Sequence, residues 1–210
     1  VQSKHVADIT GYANSAASLW AAVDEVLVEM VPAPLGLQPN EYIVVSWTDR
    51  PYGELETLKV ASVHDGSQIA VRLAWANARP ESGAGEAFPD SAALAFPVRG
   101  DPELTQMGSP EAPIHALHWQ ARKNVIRSVL ASGIGTSRSG PEVNQSISAG
   151  WSQGVWSVVF VRTLKSPEDG ATLVPGSPSR IGFAVWNGSN QERAGIKAVS
   201  EDWIEFTLET

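Results

Sequence analysis

Alternation of apolar and polar positions dominates this chain, and it predicts strands. Ile69, Val71, Leu73 and Trp75 alternate with Gln68, Ala70, Arg72 and Ala74, a period of two that sends the large apolar set to one face. Residues 60–64 precede that run, and Asp65-Gly66 between them is a two-residue turn signal, so the pair reads as a hairpin. A second hairpin runs from residues 147–151 through Ser152-Gln153-Gly154 into residues 155–164. Its return strand sets Val155, Ser157, Val159 and Val161 against Trp156, Val158, Phe160 and Arg162. Two mostly apolar faces predict a central strand. Residues 42–47, 181–186 and 203–208 read as further strands. Residues 23–31 fit a helix through Leu19, Val23, Val26 and Met30, or a strand through Val26, Val28 and Met30; Pro32 and Pro34 close the segment in either case.

Eighteen glycines and fourteen prolines punctuate the chain and favour short strands over long helices. Residues 79–85 and 166–179, rich in Gly, Pro, Ser and acidic side chains, read as surface loops. The pattern predicts an all-β fold: one antiparallel β-sandwich with long loops and a little helix, a single domain over residues 1–210. A chain of 210 residues falls near the usual upper size of one folding unit, about 100–200 residues.

Composition narrows the chemistry. Lys plus Arg number 15 against 23 for Asp plus Glu, a net charge of −8, so phosphate backbones and anionic lipid are repelled. No nucleic-acid or membrane partner is expected. Cysteine is absent, which excludes disulfides, thiolate metal sites, iron–sulfur clusters within this chain and thioether-linked haem. The stretch 19–37 is interrupted by Asp24, Glu25, Glu29 and two prolines and cannot span a bilayer. A first residue of Val rather than Met fits a processed, soluble form.

No motif for catalysis by this chain emerges. There is no G-x-S-x-G elbow, and Gly83-Ala84-Gly85 and Gly133-Ile134-Gly135 precede no helical pattern, so neither is a phosphate loop. His115 and His118 stand three apart without the further ligands a zinc site needs. Eight tryptophans on a β-sandwich permit sugar stacking, although Trp75, Trp156 and Trp186 lie in apolar strands and read as core. Of the two methionines, Met30 falls in a regular apolar segment and Met107 in a glycine-flanked loop, where a thioether can meet a metal or porphyrin.

Several blocks carry a resemblance. They are Glu29-Met30-Val31-Pro32-Ala33-Pro34-Leu35, Leu58-Lys59-Val60-Ala61-Ser62-Val63-His64-Asp65-Gly66-Ser67, Ala95-Phe96-Pro97-Val98 and Gln106-Met107-Gly108. His118-Trp119-Gln120-Ala121 follows, and then the most specific, Phe183-Ala184-Val185-Trp186-Asn187-Gly188 to Glu192-Arg193-Ala194-Gly195-Ile196-Lys197. In order and spacing they resemble the haem b-binding γ subunits of periplasmic molybdenum enzymes, the group of ethylbenzene dehydrogenase, dimethyl sulfide dehydrogenase, selenate reductase and chlorate reductase. The resemblance implies one non-covalent, six-coordinate haem b held between loops. It also implies an axial pair of methionine and lysine, which map to Met107 and Lys197.

By residue type alone Lys197 reads as a solvated surface lysine; only the resemblance singles it out. Where the family often shows Trp-x-Trp, this chain has Leu117-His118-Trp119, which makes His118 the rival axial ligand and puts Trp119 beside the cofactor. Arg99, Arg122 and Arg193 are candidate counter-charges for the propionates. The resemblance further implies a non-catalytic electron-transfer subunit of a periplasmic heterotrimer. An iron–sulfur β subunit and an α subunit bearing the molybdenum cofactor would be its partners, and a soluble cytochrome c or similar carrier its outlet. Dimethyl sulfide dehydrogenase is the first guess among the relatives. A sugar-binding module without redox role and a haem-sensing domain are the alternatives.

Overall fold

The computed structural model describes residues 1–85, 87–167 and 169–210, so Glu168 of the second predicted loop lies outside the described residues. The first hairpin forms as β4 (Thr57–His64) and β5 (Gln68–Ala76). The tight turn sits one residue later than the Asp-Gly signal implied: Asp65 N–H donates to the Gln68 carbonyl, and Gly66 takes a φ of 84°. The Asp65 carboxylate accepts from the Ser67 and Gln68 amides at 2.9 and 2.8 Å, which moves the turn along the chain. The second hairpin is β10 (Ser146–Ser152) and β11 (Val155–Thr163), closed by Gln153 and Gly154, both left-handed.

Two sheets result. In one, β10, β11, β5 and β4 lie side by side, and β11 is interior as expected; β1 (Gln2–His5) and β2 (Val26–Glu29) both flank β4. The ambiguous segment is therefore a strand, preceded by a short 3-10 turn at Ser18–Ala22. The other sheet runs β3 (Val31–Pro32), β13 (Ala198–Val199), β12 (Ser179–Trp186), β6 (Ser91–Pro97), β7 (Ile114–Gln120), β8 (Val125–Ala131) and β9 (Arg138–Ser139). Strand β14 (Ile204–Leu208) pairs with β12 and with β1, joining the two sheets along one side. Pairing is antiparallel except at β1, which runs parallel to both β4 and β14.

The core lies between the sheets. Leu73, Trp75, Trp156, Val158 and Phe160 from one meet Leu94, Phe96, Leu117, Trp119, Phe183 and Val185 from the other. A smaller cluster on the outer face of the first sheet seats Val63, Ala70, Val159 and Val161 under Ile9, Trp20 and Val23. That cover explains why β11 is apolar on both faces. Burying a side chain of this size contributes about 1.5–3 kcal/mol, so residues 9–23 are held by packing, whereas β1 before them is held by strand pairing.

Residues 42–47, expected to be a strand, form the helix α1 (Glu41–Trp47) instead. Asn40 caps it, its side chain accepting from the Tyr42 amide at 2.8 Å, and Glu41 stands in the first turn. The β-branched run Ile43-Val44-Val45 pointed to a strand, and the cap just before it decides otherwise.

His115 is wholly buried and neutral. Its Nδ1 accepts from the Ala171 amide at 3.2 Å, so Nε2 carries the proton toward Ser128 Oγ at 2.8 Å. Burial, with the Arg162 guanidinium nearby, pushes its pKa down to about 4. A depressed folded pKa means that the unfolded chain takes the proton first. Stability from this group is then complete above pH ~6.5 and is lost as pH falls toward ~4, by about 3 kcal/mol. Melting temperature should accordingly drop across that window. His115→Gln should flatten the drop; equal acid sensitivity in the variant would assign it to other groups.

Candidate functional site

The site is built on the outer face of the second sheet, away from the core. Along β6, β7 and β12 the large residues point inward, and Ala93, Ala95, Ala116, Gly182 and Ala184 form the outer face, aligned by register as Gly182–Ala95–Ala116 and Ala184–Ala93–His118. Small residues on three adjacent strands leave a shallow platform, which the sequence reading did not single out. Its signal was the run Ala93-Leu94-Ala95-Phe96, large side chains in and small ones out.

Lys197 stands at one end of this platform. Strand β13 pairs Ala198 with Val185, which carries Lys197 to the level of Trp186, and its Nζ lies 5.0 Å from the centre of that indole ring. The Trp186 Nε1–H donates to the Ala194 carbonyl at 3.0 Å, fixing the ring, and the His118 ring lies 5.1 Å from it. Trp186, expected in the core, is thus half-buried on the outer face, because its position in β12 alternates with core residues Phe183 and Val185. The lysine backbone is held as firmly. Its carbonyl accepts from Ala33 N–H at 2.9 Å, and Gly53, at φ 61°, passes so close that a Cβ there would lie 2.7 Å from that oxygen.

Among the described residues Lys197 joins no ion pair. Burial pulls its pKa down from the usual lysine range to about 8. His118 is likewise pushed down to about 4, by burial first and then by the charges of Lys197 and Arg127. Both groups are therefore biased toward the neutral forms that carry a free lone pair.

Met107 stands at the opposite end of the same face. The turn that carries it crosses the sheet there: the Leu104 side chain covers Gly182, and Pro102 accepts from Trp203 Nε1–H at 2.7 Å. Met107 N–H donates to Leu104 O, and Met107 O accepts from Gly133 N–H just beyond β8. Met107 takes a φ of 59°, which disfavours most side chains, and Gly108 follows at 76°. A Cβ at Gly108 would meet the Ala112 carbonyl at 2.6 Å. The backbone is bent at some cost to set this one thioether on the loop.

The structure brings Lys197 and His118 together at the Trp186 ring and sets Met107 beyond the far side of the platform. Trp119 is not with them. It lies on the core face of β7, wholly buried, stacked edge-on against Trp156 at 5.1 Å and donating to Asn124 Oδ1 at 3.0 Å. Expected beside the cofactor, it belongs to the core because adjacent strand residues point to opposite faces. The three candidate arginines are already engaged: Arg99 with the Pro110 carbonyl, Arg122 with the Gly83 and Ala87 carbonyls, and Arg193 over the Phe88 ring. Arg127, not foreseen, stands opposite His118 across β7 and β8.

A donor pair of half-buried amine and loop thioether fits haem iron, which takes neutral nitrogen and sulfur ligands, and does not fit a hard cation. Among the described residues there is no group of three or more His, Asp or Glu able to hold a metal ion.

Trp186 offers a direct test of this geometry. Trp186→Leu removes the ring that covers the amine and should speed acylation of Lys197, read by mass spectrometry of the labelled peptide. Unchanged labelling would mean that the indole does not shield it.

Comparison with known proteins agrees with an all-β subunit. The family model for ethylbenzene dehydrogenase matches residues 134–198. The chain is 33% identical over 192 residues to a protein of Haloferax mediterranei described as the heme subunit of a respiratory nitrate reductase. It is 39% identical over 161 residues to the chlorate reductase subunit gamma of Ideonella dechloratans. These matches cover 89% and 73% of this chain and 65% and 66% of the relatives, so the chain spans just under two thirds of their length. The dimethylsulfide dehydrogenase subunit gamma of Rhodovulum sulfidophilum is 29% identical, over 89% of this chain and 71% of its own. The chain is thus similar in sequence to a heme subunit and to γ subunits of reductases and a dehydrogenase.

Its fold recurs in family 9 carbohydrate-binding modules of Caldicellulosiruptor kristjanssonii, one in complex with glucose (TM-score 0.56) and one with cellotriose (0.59). Identity is 10% in both, over 100% of this chain and 95% and 93% of theirs. A likeness at that identity concerns the fold alone.

Proposed function

We propose that this chain is the electron-transfer subunit of a periplasmic molybdenum oxidoreductase and holds one non-covalent haem b, with Met107 and Lys197 as its axial ligands. The observation that carries the reading is Lys197 itself, a half-buried lysine with no acidic partner among the described residues, its Nζ set over the Trp186 ring at the end of a platform of small side chains. When bound, the haem iron would supply a one-electron ferrous/ferric couple. The chain's own residues do the rest. Desolvation lowers the Lys197 pKa to about 8, which eases loss of its proton to a competing metal, the Met107 thioether favours the reduced metal, and the small side chains of β6, β7 and β12 offer a flat surface to a macrocycle. Without cysteine no cysteine thioether link to the macrocycle can form.

Two filled axial positions leave no site for substrate, so the chain would relay electrons without catalysing a reaction. An iron–sulfur subunit would stand on one side, with a molybdenum-bearing subunit behind it, and a soluble cytochrome c on the other. Among the described residues no helix is long and apolar enough to cross a membrane. The names of the relatives make nitrate, chlorate and dimethyl sulfide the substrates to try on the partner subunit.

The test is electron exchange with a basic ferric cytochrome c in a stopped-flow instrument. With a net charge of −8 on this chain, the second-order rate should fall as ionic strength rises. Rates insensitive to salt would remove electrostatic steering, and no exchange at all would remove the relay. A carbon monoxide-induced shift of the ferrous spectrum would favour an open-site sensor instead.

A further inference from the structure

Five of the seven residues of α1 are apolar, yet the helix buries none of them. Tyr42 is 79% exposed and Val45 77%. Three positions apart on a helix, they share one face, with Ile43, Val44 and Trp47 half-covered beside them. Aromatic and aliphatic anchors at that spacing are what a helix offers to a hydrophobic groove, and tyrosine and tryptophan are enriched at interface centres.

The helix is also tied to the lysine loop. Gln38, just before it, donates from Nε2 to the Gly195 carbonyl at 3.3 Å. Arg50, just after it, donates to Asn190 O at 2.6 Å, and Asn190 Nδ2 returns a bond to Pro51 O at 3.0 Å. Gly53 then closes on the Lys197 carbonyl. Whatever covers α1 therefore abuts the segment that presents Lys197.

We propose that α1 is the docking element by which this chain binds the electron-exchanging sister subunit of its reductase, Tyr42 and Val45 entering an apolar groove on that subunit. The proposal rests on the chain's being a haem-bearing γ subunit. The relatives supply the occupant, since they are named as subunits of reductases and a dehydrogenase. Position supports it, because a partner seated on α1 stands beside the proposed axial lysine, where electrons must enter or leave. Charge argues against a second copy: two chains of net charge −8 repel each other.

The experiment co-produces the full-length chain with the other subunits of its reductase. Wild type is compared with a Tyr42→Glu, Val45→Lys double variant and with Val174→Glu, a control at an apolar residue 51% exposed elsewhere. Assembly is read by size exclusion and the mass of co-eluting subunits, and haem content separately by absorbance. The double variant should keep its haem and melting temperature and bind its sister subunits at least tenfold more weakly, while Val174→Glu stays assembled. A double variant that remains in the complex overturns the proposal. So does a wild-type chain whose concentration-dependent self-association is what the double variant loses, since the occupant is then a second copy. A wild-type complex that assembles without haem overturns the haem reading alone, and dissociation of the double variant from it still supports the docking helix.

Discussion

Lys197→Ala should convert a low-spin haem spectrum to a high-spin one and weaken haem retention at least about tenfold, the scale on which even outer contacts tune a metal site. Met107→Ala should likewise break six-coordination, and it should also lower the reduction potential, because a thioether favours ferrous iron. His118→Ala should leave the low-spin spectrum in place. His118 shares the Trp186 ring with Lys197, and its pKa of about 4 leaves a lone pair free at neutral pH, so it is placed to take the lysine's part. A spectrum that changes in His118→Ala and not in Lys197→Ala would reassign the ligand. Both readings start from the same cluster, and the variants separate them.

Trp119→Ala should be the most destabilising single change in the core, costing about 3–5 kcal/mol for a large aromatic truncated in a packed site. The indole is wholly buried, packs against Trp75 and Trp156, and satisfies Asn124. In a chain of this size that corresponds to a fall in melting temperature of order 10 °C. Trp119→Phe should lose less and leave the haem spectrum unmoved. A shifted Soret band in that variant would return Trp119 to the cofactor pocket where the sequence reading put it.

The strands were legible because a period of two survives in the residues themselves. The set Ile69, Val71, Leu73 and Trp75 faces the core as its alternation requires, and β11 is interior because both of its faces are apolar. The helix at Glu41–Trp47 was not legible from apolar content, since β-branched residues suit either state; its only local signal was Asn40, a capping side chain. The parallel pairing of β1 was equally hidden. Nothing in Gln2–His5 reveals that it will bridge β4 and β14, residues some 60 and 200 positions away.

At the candidate site, residue type and face mattered in different ways. Met107 stood out as a thioether in a glycine-flanked loop, and its left-handed backbone adds a cost that random loop chemistry would avoid. Lys197 carried no signal of its own, because burial is a property of the folded neighbourhood: the indole of Trp186 and the close pass of Gly53 create it. Trp119 and Trp186 were exchanged for the same reason. Composition marks both as apolar strand residues, and only register decides which one faces the core.

The sugar-binding alternative keeps the fold with few free indoles: Trp151 is 37% exposed, its Nε1–H donating to the Asn77 carbonyl. Trp20, Trp75, Trp119 and Trp156 are all buried, and Trp186 is engaged with Lys197 and His118. A cleft of about 480 Å³ lined by Glu54, Glu56, Asn77 and Arg79 offers polar groups, but its one indole, Trp75, is 4% exposed and presents no stacking face.

The central claim is that this chain binds one non-covalent haem b through a methionine and a lysine. It is tested most directly by the visible spectrum of the purified chain before and after acid–acetone extraction. The expected result is a low-spin Soret band with sharp reduced α and β bands, one haem per chain, and complete transfer of the pigment into the organic phase. A chain that carries no Soret band after production with haem available, or one whose pigment stays with the protein, would contradict it.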